Sequence, residues 1–121
     1  MRFQVQGLDH VALAVADQGV EESWYTDVLG LGREFAGEWG DTPVALMAGG
    51  SGLALFKSRG GEPSAALRHI AFRVDRENFA AAQDDFRARG IPFEFADHGV
   101  AHSIYFEDPA GLQLELTTYD L

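Results

Sequence analysis

Two segments of the chain share one pattern of apolar and polar positions. Residues 8–15 and 67–74 each begin with leucine, carry a histidine at the third position and then alternate large apolar residues with small or polar ones. Alternation with a period of two is typical of a β-strand that is buried on one face. Because His10 and His69 occupy the same position in the two segments, the sequence predicts an internal duplication.

Each predicted strand is followed by signals that start and stop a helix. Asp17 and Asp75 are suited to the N-cap, where a carboxylate accepts a hydrogen bond from a free backbone N–H. Gly30 and Gly90 fall where a helix commonly ends on a left-handed residue. The pair Glu21-Glu22 is predicted to face solvent. Apolar residues at helical spacing predict the buried faces, namely Val20, Trp24 and Val28 in the first helix and Phe79, Ala82 and Phe86 in the second. Tyr25 is also predicted to pack in the core.

Three short strand-forming runs follow each helix. A Gly-Gly-Ser-Gly run at residues 49–52 predicts a hairpin turn in preference to a phosphate-binding loop, because no helix or Gly-Lys-Ser/Thr sequence follows it. Turn formers at residues 58–64 predict a linker between the halves. The predicted fold class is therefore α+β, with two pseudo-symmetric βαβββ modules, residues 1–60 and 65–121, in a single domain of residues 1–121. Their strands are expected to form a curved, partly open mixed sheet around a cleft. The strand-forming runs are residues 33–39, 44–48 and 53–58, then 93–96, 103–107 and 112–118.

Charge and composition argue against several classes of partner. The sequence has 19 acidic and 9 basic residues, and its formal net charge of −10 repels nucleic-acid phosphates and anionic lipid headgroups. Neither nucleic acid nor a membrane surface is therefore expected as a partner. No apolar run is long enough to span a bilayer and the opening residues lack a signal-peptide pattern, so a cytoplasmic location is expected. Because the chain has no cysteine, any metal ion must be bound through nitrogen and oxygen ligands.

Three side chains are candidate metal ligands. In the last run, leucines at positions 112, 114 and 116 alternate with polar residues, so Glu115 projects from the face opposite the leucines. By the same parity, His10 and His69 point into the predicted cleft. Two imidazoles and one carboxylate are an open donor set for a divalent metal, with positions left for water or substrate. A strand histidine taken alone is more often a hydrogen-bonded structural residue, and it is the matched pair that favours a metal.

The chain resembles a known superfamily in segments that span nearly its whole length. These are Leu-Asp-His-Val-Ala-Leu-Ala-Val at residues 8–15, Trp-Tyr-Thr-Asp-Val-Leu-Gly-Leu at 24–31, Leu-Arg-His-Ile-Ala-Phe at 67–72 and Asp-Pro-Ala-Gly-Leu-Gln-Leu-Glu-Leu at 108–116. They resemble the glyoxalase, bleomycin-resistance and dioxygenase superfamily, whose members chelate vicinal oxygens on a metal. The last segment is the most specific, because the family's Asp-Pro-x-Gly turn leads into a strand with a ligand glutamate, here Glu115. The resemblance implies a homodimer that binds a small-molecule substrate and a divalent ion, with iron(II) or manganese(II) favoured and zinc, nickel or cobalt also compatible.

The enzyme types of the superfamily differ in further site residues, and these can be compared with this chain. Glyoxalase I enzymes use a fourth ligand at the position that a constant repeat offset assigns to Phe56, which cannot bind metal. Fosfomycin-inactivating thiol transferases carry threonine where this chain has Ala12. An extradiol dioxygenase that cleaves a catechol-type ring is the preferred interpretation, and a glyoxalase-like lyase or isomerase, a thiol transferase and a non-catalytic bleomycin-resistance-type binding protein are the alternatives. The extradiol pattern of histidine, tyrosine, Pro-x-Gly and glutamate is matched by His98, Tyr105, Pro109, Gly111 and Glu115.

The remaining candidates surround the predicted metal. Tyr105 can donate a hydrogen bond to a metal-bound oxygen, although a tyrosine on the rim of the cleft is the ordinary alternative. His98 or His102 is a candidate general acid or base, because an imidazole titrates near neutral pH. Arg73 shares strand parity with His69 and can bind a substrate carboxylate or form a salt bridge. The other two predicted substrate contacts are Ser103 and Phe56.

Overall fold

The computed structural model describes residues 4, 6–60 and 67–121. The chain divides into two compact units, Met1–Pro63 and Ser64–Leu121, and each unit is described by itself. Part of the predicted linker, residues 61–64, lies outside the described residues. Among the helices that the structure describes, none has both the length and the hydrophobicity that crossing a membrane requires.

The first unit is a four-stranded mixed sheet with one long helix. Its strands are hydrogen-bonded in the order β1-β4-β3-β2, with β1 parallel to β4 and the other pairs antiparallel. A two-residue Gly49-Gly50 turn joins β3 to β4, which confirms the predicted hairpin. The elements are β1 (His10–Val15), α1 (Gln18–Leu29), β2 (Gly32–Glu34), α2 (Ala36–Trp39), β3 (Val44–Ala48) and β4 (Ser51–Lys57).

The second unit repeats this arrangement in its own four-stranded sheet. The strand order is β5-β8-β7-β6, again with one parallel pair, β5 with β8, and two antiparallel pairs. The α+β class and the two βαβββ modules predicted from the sequence are therefore confirmed. The elements are β5 (Ile70–Arg73), α3 (Arg76–Arg89), β6 (Glu94–Asp97), β7 (His102–Glu107) and β8 (Gln113–Thr118).

The long helices begin and end at the predicted residues. The Asp17 carboxylate accepts a hydrogen bond from the backbone N–H of Val20, and the Asp75 carboxylate accepts one from that of Asn78. Gly30 and Gly90 close α1 and α3 in the left-handed conformation, with φ of 72° and 71°. These positive angles are nearly free for glycine and strained for other residues, so each helix stops there and the chain turns into the next strand.

Each unit buries the helix against one face of its sheet. In the second unit the Phe86 ring meets the Phe106 ring edge-on, with centroids 4.8 Å apart, and Phe79 is also buried, as the spacing of apolar residues predicts. Ile104 and Leu114 complete this core without measurable exposure. The alternation along β7 and β8 therefore points one set of side chains at the helix and the other set at the opposite face of the sheet, where the candidate functional residues lie.

The buried face of α1 differs from the prediction. Val20 is 50% exposed, whereas Tyr25 is fully buried and Glu21 is only 3% exposed. The prediction is therefore wrong at Val20 and at Glu21, whereas Trp24 and Val28 are half-buried and the predicted core position of Tyr25 is confirmed. Tyr25 has the larger apolar surface, so rotating the helix to bury that ring removes more area from water than burying a valine.

The strand predicted over residues 33–39 is also wrong. Strand β2 ends at Glu34 because Phe35 has a left-handed backbone with φ of 60°, which turns the chain into the short helix α2. The Phe35 ring then packs on the Trp39 ring with centroids 4.6 Å apart. Strand propensities of the individual residues favour a strand here. They do not take account of the contact between the Phe35 and Trp39 rings, which forms only in the helical turn.

Candidate functional site

Glu115 lies on the face of β8 that is turned away from the helix. Its neighbours Leu114 and Leu116 point into the core, so strand alternation puts the carboxylate on the other side. Tyr105 of β7 and Ala71 of β5 are its register partners in the two flanking strands. Glu115 is nevertheless only 7% exposed, which makes it a buried carboxylate that needs hydrogen-bonding partners.

Ser103 and His69 supply two of those partners, and the Tyr105 hydroxyl also hydrogen-bonds to the carboxylate. The Ser103 hydroxyl, itself fully buried, donates to Oε2 of Glu115 across 2.6 Å. His69, immediately before β5, brings its Nε2 to 3.1 Å from Oε1 of the same carboxylate. The two carboxylate oxygens therefore have different partners, because Oε2 accepts a hydrogen bond from a hydroxyl and Oε1 lies beside an imidazole nitrogen.

Tyr105 and His98 extend this cluster along β7. His98 Nε2 and the Tyr105 hydroxyl oxygen are 2.9 Å apart and share one hydrogen bond, whose direction depends on the His98 tautomer. The Tyr105 ring also meets the His69 ring edge-on, with centroids 5.9 Å apart. Burial raises the pKa of Tyr105 above its usual value of 10, and the negative charge of Glu115 raises it further. The phenol therefore keeps its proton at neutral pH and can act as a hydrogen-bond donor.

His10 lies at the start of β1 in the first unit with half of its side chain exposed. Its Nδ1 is 2.8 Å from an Asp9 carboxylate oxygen, and Asp9 also accepts the backbone N–H of Gly52 through its carbonyl. A carboxylate at Nδ1 fixes the proton on that nitrogen and leaves the Nε2 lone pair free. This is the tautomer in which an imidazole binds a metal through Nε2.

The His69 and Glu115 atoms fit one metal ion. Two ligands bound at about 2.1 Å and nearly at right angles are about 3.0 Å apart. The observed separation between His69 Nε2 and Glu115 Oε1 is 3.1 Å. Within residues 4, 6–60 and 67–121, no cluster of three or more histidine, aspartate or glutamate side chains with metal-site geometry is found. The described second unit therefore contributes a pair of donors, both of types that divalent ions accept.

Two other predicted residues lie apart from this cluster. His102 has the strand parity of Ile104, and its ring packs edge-on against Phe95 at 5.2 Å, with its Nε2 3.5 Å from Asp97. The structure thus brings His98, and not His102, to Tyr105. The guanidinium of Arg73 lies 4.6 Å above the centre of the Tyr119 ring, at the far end of β5 from His69.

The assignment of Phe56 as the counterpart of Glu115 is wrong. Glu115 pairs with Ala71, and the matching pair in the first unit joins Ala12 to Ala54. The histidines differ by 69 − 10 = 59 residues, the glycines that end the helices by 90 − 30 = 60, and the last strands by 115 − 54 = 61. Two single-residue insertions accumulate along the second half, so a constant offset misses the partner by two positions. Alanine cannot bind a metal either, so the first unit still lacks the fourth ligand.

The sequence interpretation missed two residues that support the candidate ligands. Asp9 contacts His10, and its place beside the histidine in the chain was a usable signal. The Thr117 hydroxyl oxygen lies 3.1 Å from that of Ser103, and its strand parity with Glu115 marked it as a neighbour. Asp9 contacts a candidate ligand directly, and Thr117 contacts one through Ser103. Residues that support a ligand in this way have no sequence motif of their own.

The fold and this set of side chains define a vicinal oxygen chelate protein. The chain belongs to the glyoxalase, bleomycin resistance protein and dioxygenase superfamily, whose family model matches residues 7–116. Members of this superfamily are mostly enzymes and generally bind divalent metals.

Individual relatives carry out different reactions. The metallothiol transferase FosB of Staphylococcus epidermidis is 27% identical over 125 aligned residues, which cover 96% of this chain and 84% of the relative. The solved lactoylglutathione lyase of Agrobacterium tumefaciens superposes with a TM-score of 0.77 and 23% identity over 94% of each chain. The solved oxidase ChaP-H2 superposes with a TM-score of 0.74 and 25% identity, covering 98% of this chain and 94% of its own.

Proposed function

We propose that this protein is a metal-dependent enzyme that acts on a small substrate with two adjacent oxygen atoms. The observation that carries the proposal is the buried Glu115 carboxylate, with one oxygen held by Ser103 and the other 3.1 Å from His69 Nε2. His10 is the proposed third ligand, because it matches His69 in the repeat and its Nδ1 is held by Asp9. Iron(II) or manganese(II) is the favoured ion for this nitrogen and oxygen donor set.

The bound ion would supply Lewis acidity, since two neutral imidazoles and one carboxylate leave it about one net positive charge. Tyr105 and His98 are the side chains proposed to transfer a proton to or from a substrate oxygen. A phenol is neutral at pH 7, and burial raises the pKa of Tyr105 further in the metal-free protein, so this hydroxyl is placed to donate a hydrogen bond to a substrate oxygen. His98, 2.9 Å from that hydroxyl, accepts or returns the proton as the substrate oxygen changes charge.

Among the reactions of the superfamily we favour extradiol cleavage of a catechol-type ring. The pairing of His98 with Tyr105 beside Glu115 supports this choice, because a ring substrate must lose a proton as it binds. A glyoxalase-like lyase or isomerase and a thiol transferase are the alternatives within the same metal chemistry. A non-catalytic binding protein is the alternative that does not use metal chemistry.

A cavity beside Tyr105, which His69 and Glu115 do not line, supports an expectation about the charge of the substrate. This cavity of about 730 Å³ lies within the second unit and is lined in part by Phe93, Glu94, Glu107 and Gln113. In the part of the chain that the structure describes, neither glutamate has an ion-pair partner. Two unpaired carboxylates repel an anion, so the substrate is expected to be neutral or cationic outside its chelating oxygens.

The test loads the apoprotein anaerobically with iron(II) and then adds air-saturated buffer and a panel of catechols. The panel compares unsubstituted catechol with aminoalkyl and carboxylated derivatives, and oxygen uptake and yellow ring-fission products are followed. We expect turnover of the neutral and cationic members. Tyr105→Phe should lower kcat by about 10²- to 10⁴-fold, the range of a lost general acid or base. Tyr119→Phe is the matched control and should retain the activity.

Three results would decide between the alternatives. If the protein binds iron(II) but no catechol supports oxygen uptake, ring cleavage is refuted and lyase or thiol-transfer substrates take precedence. If dialysed protein retains no metal and takes up none, the metal-dependent enzyme is refuted in favour of a binding protein. Turnover of the carboxylated catechol alone would contradict the role given to Glu94 and Glu107.

A further inference from the structure

Ser103 has one hydroxyl proton, and its oxygen neighbours are the Glu115 carboxylate, the Thr117 hydroxyl and the Tyr105 hydroxyl. Glu115 Oε2 is 2.6 Å away and the Thr117 hydroxyl oxygen is 3.1 Å away. A distance of 2.5–2.7 Å is typical of a hydroxyl that donates to an ionised carboxylate, so the proton belongs to the bond with Glu115. Ser103 must then accept from Thr117, because Thr117 also carries one proton to donate.

The result is a directed chain of hydrogen bonds from Thr117 to Ser103 to Glu115. The Thr117 hydroxyl also lies near the carbonyl oxygen of His102, but at the longer distance of 3.4 Å, so donation to Ser103 is the stronger choice. Each donor in such a chain is polarised by the one behind it, which strengthens the final bond. Ser103 and Glu115 are both buried, so water does not compete for the bond between them, whereas the contact with Thr117 is part-buried.

This chain determines how Glu115 presents its oxygens. The terminal torsion of a glutamate side chain is broad, and the carboxylate of a free side chain rotates readily. With Oε2 held by Ser103, Oε1 remains directed at the side where His69 Nε2 lies, 3.1 Å away. Ser103 was predicted to contact substrate, but its hydroxyl is already committed to the carboxylate.

We infer that Ser103, supported by Thr117, is a positioning residue that holds Glu115 for binding of the metal through Oε1 alone. The inference rests on the proposed function, because it concerns the same carboxylate. It assigns a role in metal affinity to two residues that do not touch the metal. Loss of such a hydrogen bond to a ligand typically costs 10- to 100-fold in metal affinity.

The experiment measures zinc(II) affinity by competition with a chromophoric chelator, and the cobalt(II) absorption spectrum as a report on ligand geometry. Ser103→Ala should weaken zinc binding by about 10- to 100-fold and change the cobalt spectrum. Thr117→Val, which keeps the shape and removes only the donor, should weaken zinc binding by less than Ser103→Ala. Ser103→Thr restores the hydroxyl and should recover most of the affinity. Ser51→Ala, at an exposed strand serine of the first unit, is the matched control.

The possible failures are distinguishable. If the unsubstituted protein binds zinc(II) but Ser103→Ala and Thr117→Val bind it equally well with the same cobalt spectrum, the positioning role is overturned and the proposed function stands. If the unsubstituted protein binds neither ion, both proposals fall together. Should Ser103→Ala fail to fold, as judged by circular dichroism, Thr117→Val decides the question, because valine has nearly the shape of threonine and Thr117 is only part-buried.

Discussion

The substitution Glu115→Gln separates metal binding from folding. It keeps the size and shape of the side chain and removes only its negative charge. In the apoprotein the amide oxygen can still accept from Ser103, now 2.6 Å from Oε2, and the amide NH₂ can donate to a neutral His69, now 3.1 Å from Oε1. Both contacts of the buried carboxylate therefore have a neutral replacement.

The structure sets the size of both effects. A hydrogen bond to a charged group is worth about 1.5–3 kcal/mol and a neutral one about 0.5–1.5 kcal/mol, so two bonds weaken by about 1 kcal/mol each. The amide no longer has to bury a charge, which offsets much of that loss. We expect the free energy of unfolding of the apoprotein to change by less than about 2 kcal/mol. Metal affinity should fall by more than about 100-fold, or about 2.7 kcal/mol, because losing a ligand exceeds losing a residue behind one.

Zinc(II) competition titration gives the affinity and urea unfolding of the apoprotein gives the stability. Glu34→Gln, at an exposed strand glutamate of the first unit, is the matched control and should change neither quantity. A Glu115→Gln protein that binds zinc(II) within threefold of the unsubstituted protein would refute the assignment of Glu115 as a ligand. A loss of stability well beyond about 2 kcal/mol would instead show that the charge itself holds the fold together.

Three further predictions follow from single contacts. His98→Gln should lower kcat by about 10²-fold or more, whereas His102→Gln should change it little, because only His98 reaches Tyr105. An ultraviolet titration of the apoprotein, compared with Tyr105→Phe, should show this phenol ionising above pH 10. Because the pKa of Tyr105 is raised on folding, the neutral phenol contributes its full stabilisation below pH 10. That stabilisation is lost as the pH rises through the pKa of Tyr105 in the folded protein. Phe86→Ala should reduce the free energy of unfolding by about 3–5 kcal/mol in urea denaturation, because the ring is buried against Phe106; a loss below about 1 kcal/mol would contradict the packing.

The features that the sequence predicted well depend on neighbours in the chain. Strand alternation separated Glu115 from the leucines of β8, since the two faces of a strand are fixed by local geometry. The caps at Asp17 and Asp75 and the left-handed ends at Gly30 and Gly90 follow from the backbone groups that a helix leaves free. These rules act over three or four residues, so no tertiary contact can easily override them.

The features that the sequence predicted poorly depend on distance along the chain or on packing. Matching Phe56 to Glu115 assumed a constant repeat length, and two inserted residues in the second half moved the true partner to Ala54. The exposure of Val20 and the burial of Glu21 were not predicted, because both depend on how α1 is rotated against its sheet. The contact from Ser103 to Glu115 joins residues 12 apart through strand register, and a serine has no pattern that announces such a role.

The register explains why the two halves of the duplication are chemically unequal. Tyr105 faces Glu115 across β7 and β8, whereas the equivalent pair in the first unit is Ala45 with Ala54, both buried. A buried carboxylate is costly unless donors surround it, so Glu115 and its partners had to be present together or absent together. Replacing the whole set by alanines is the low-cost alternative, because a methyl group needs no partner. The first unit therefore carries the half-exposed imidazole of His10 at the start of β1, with alanines at the two positions that match Tyr105 and Glu115.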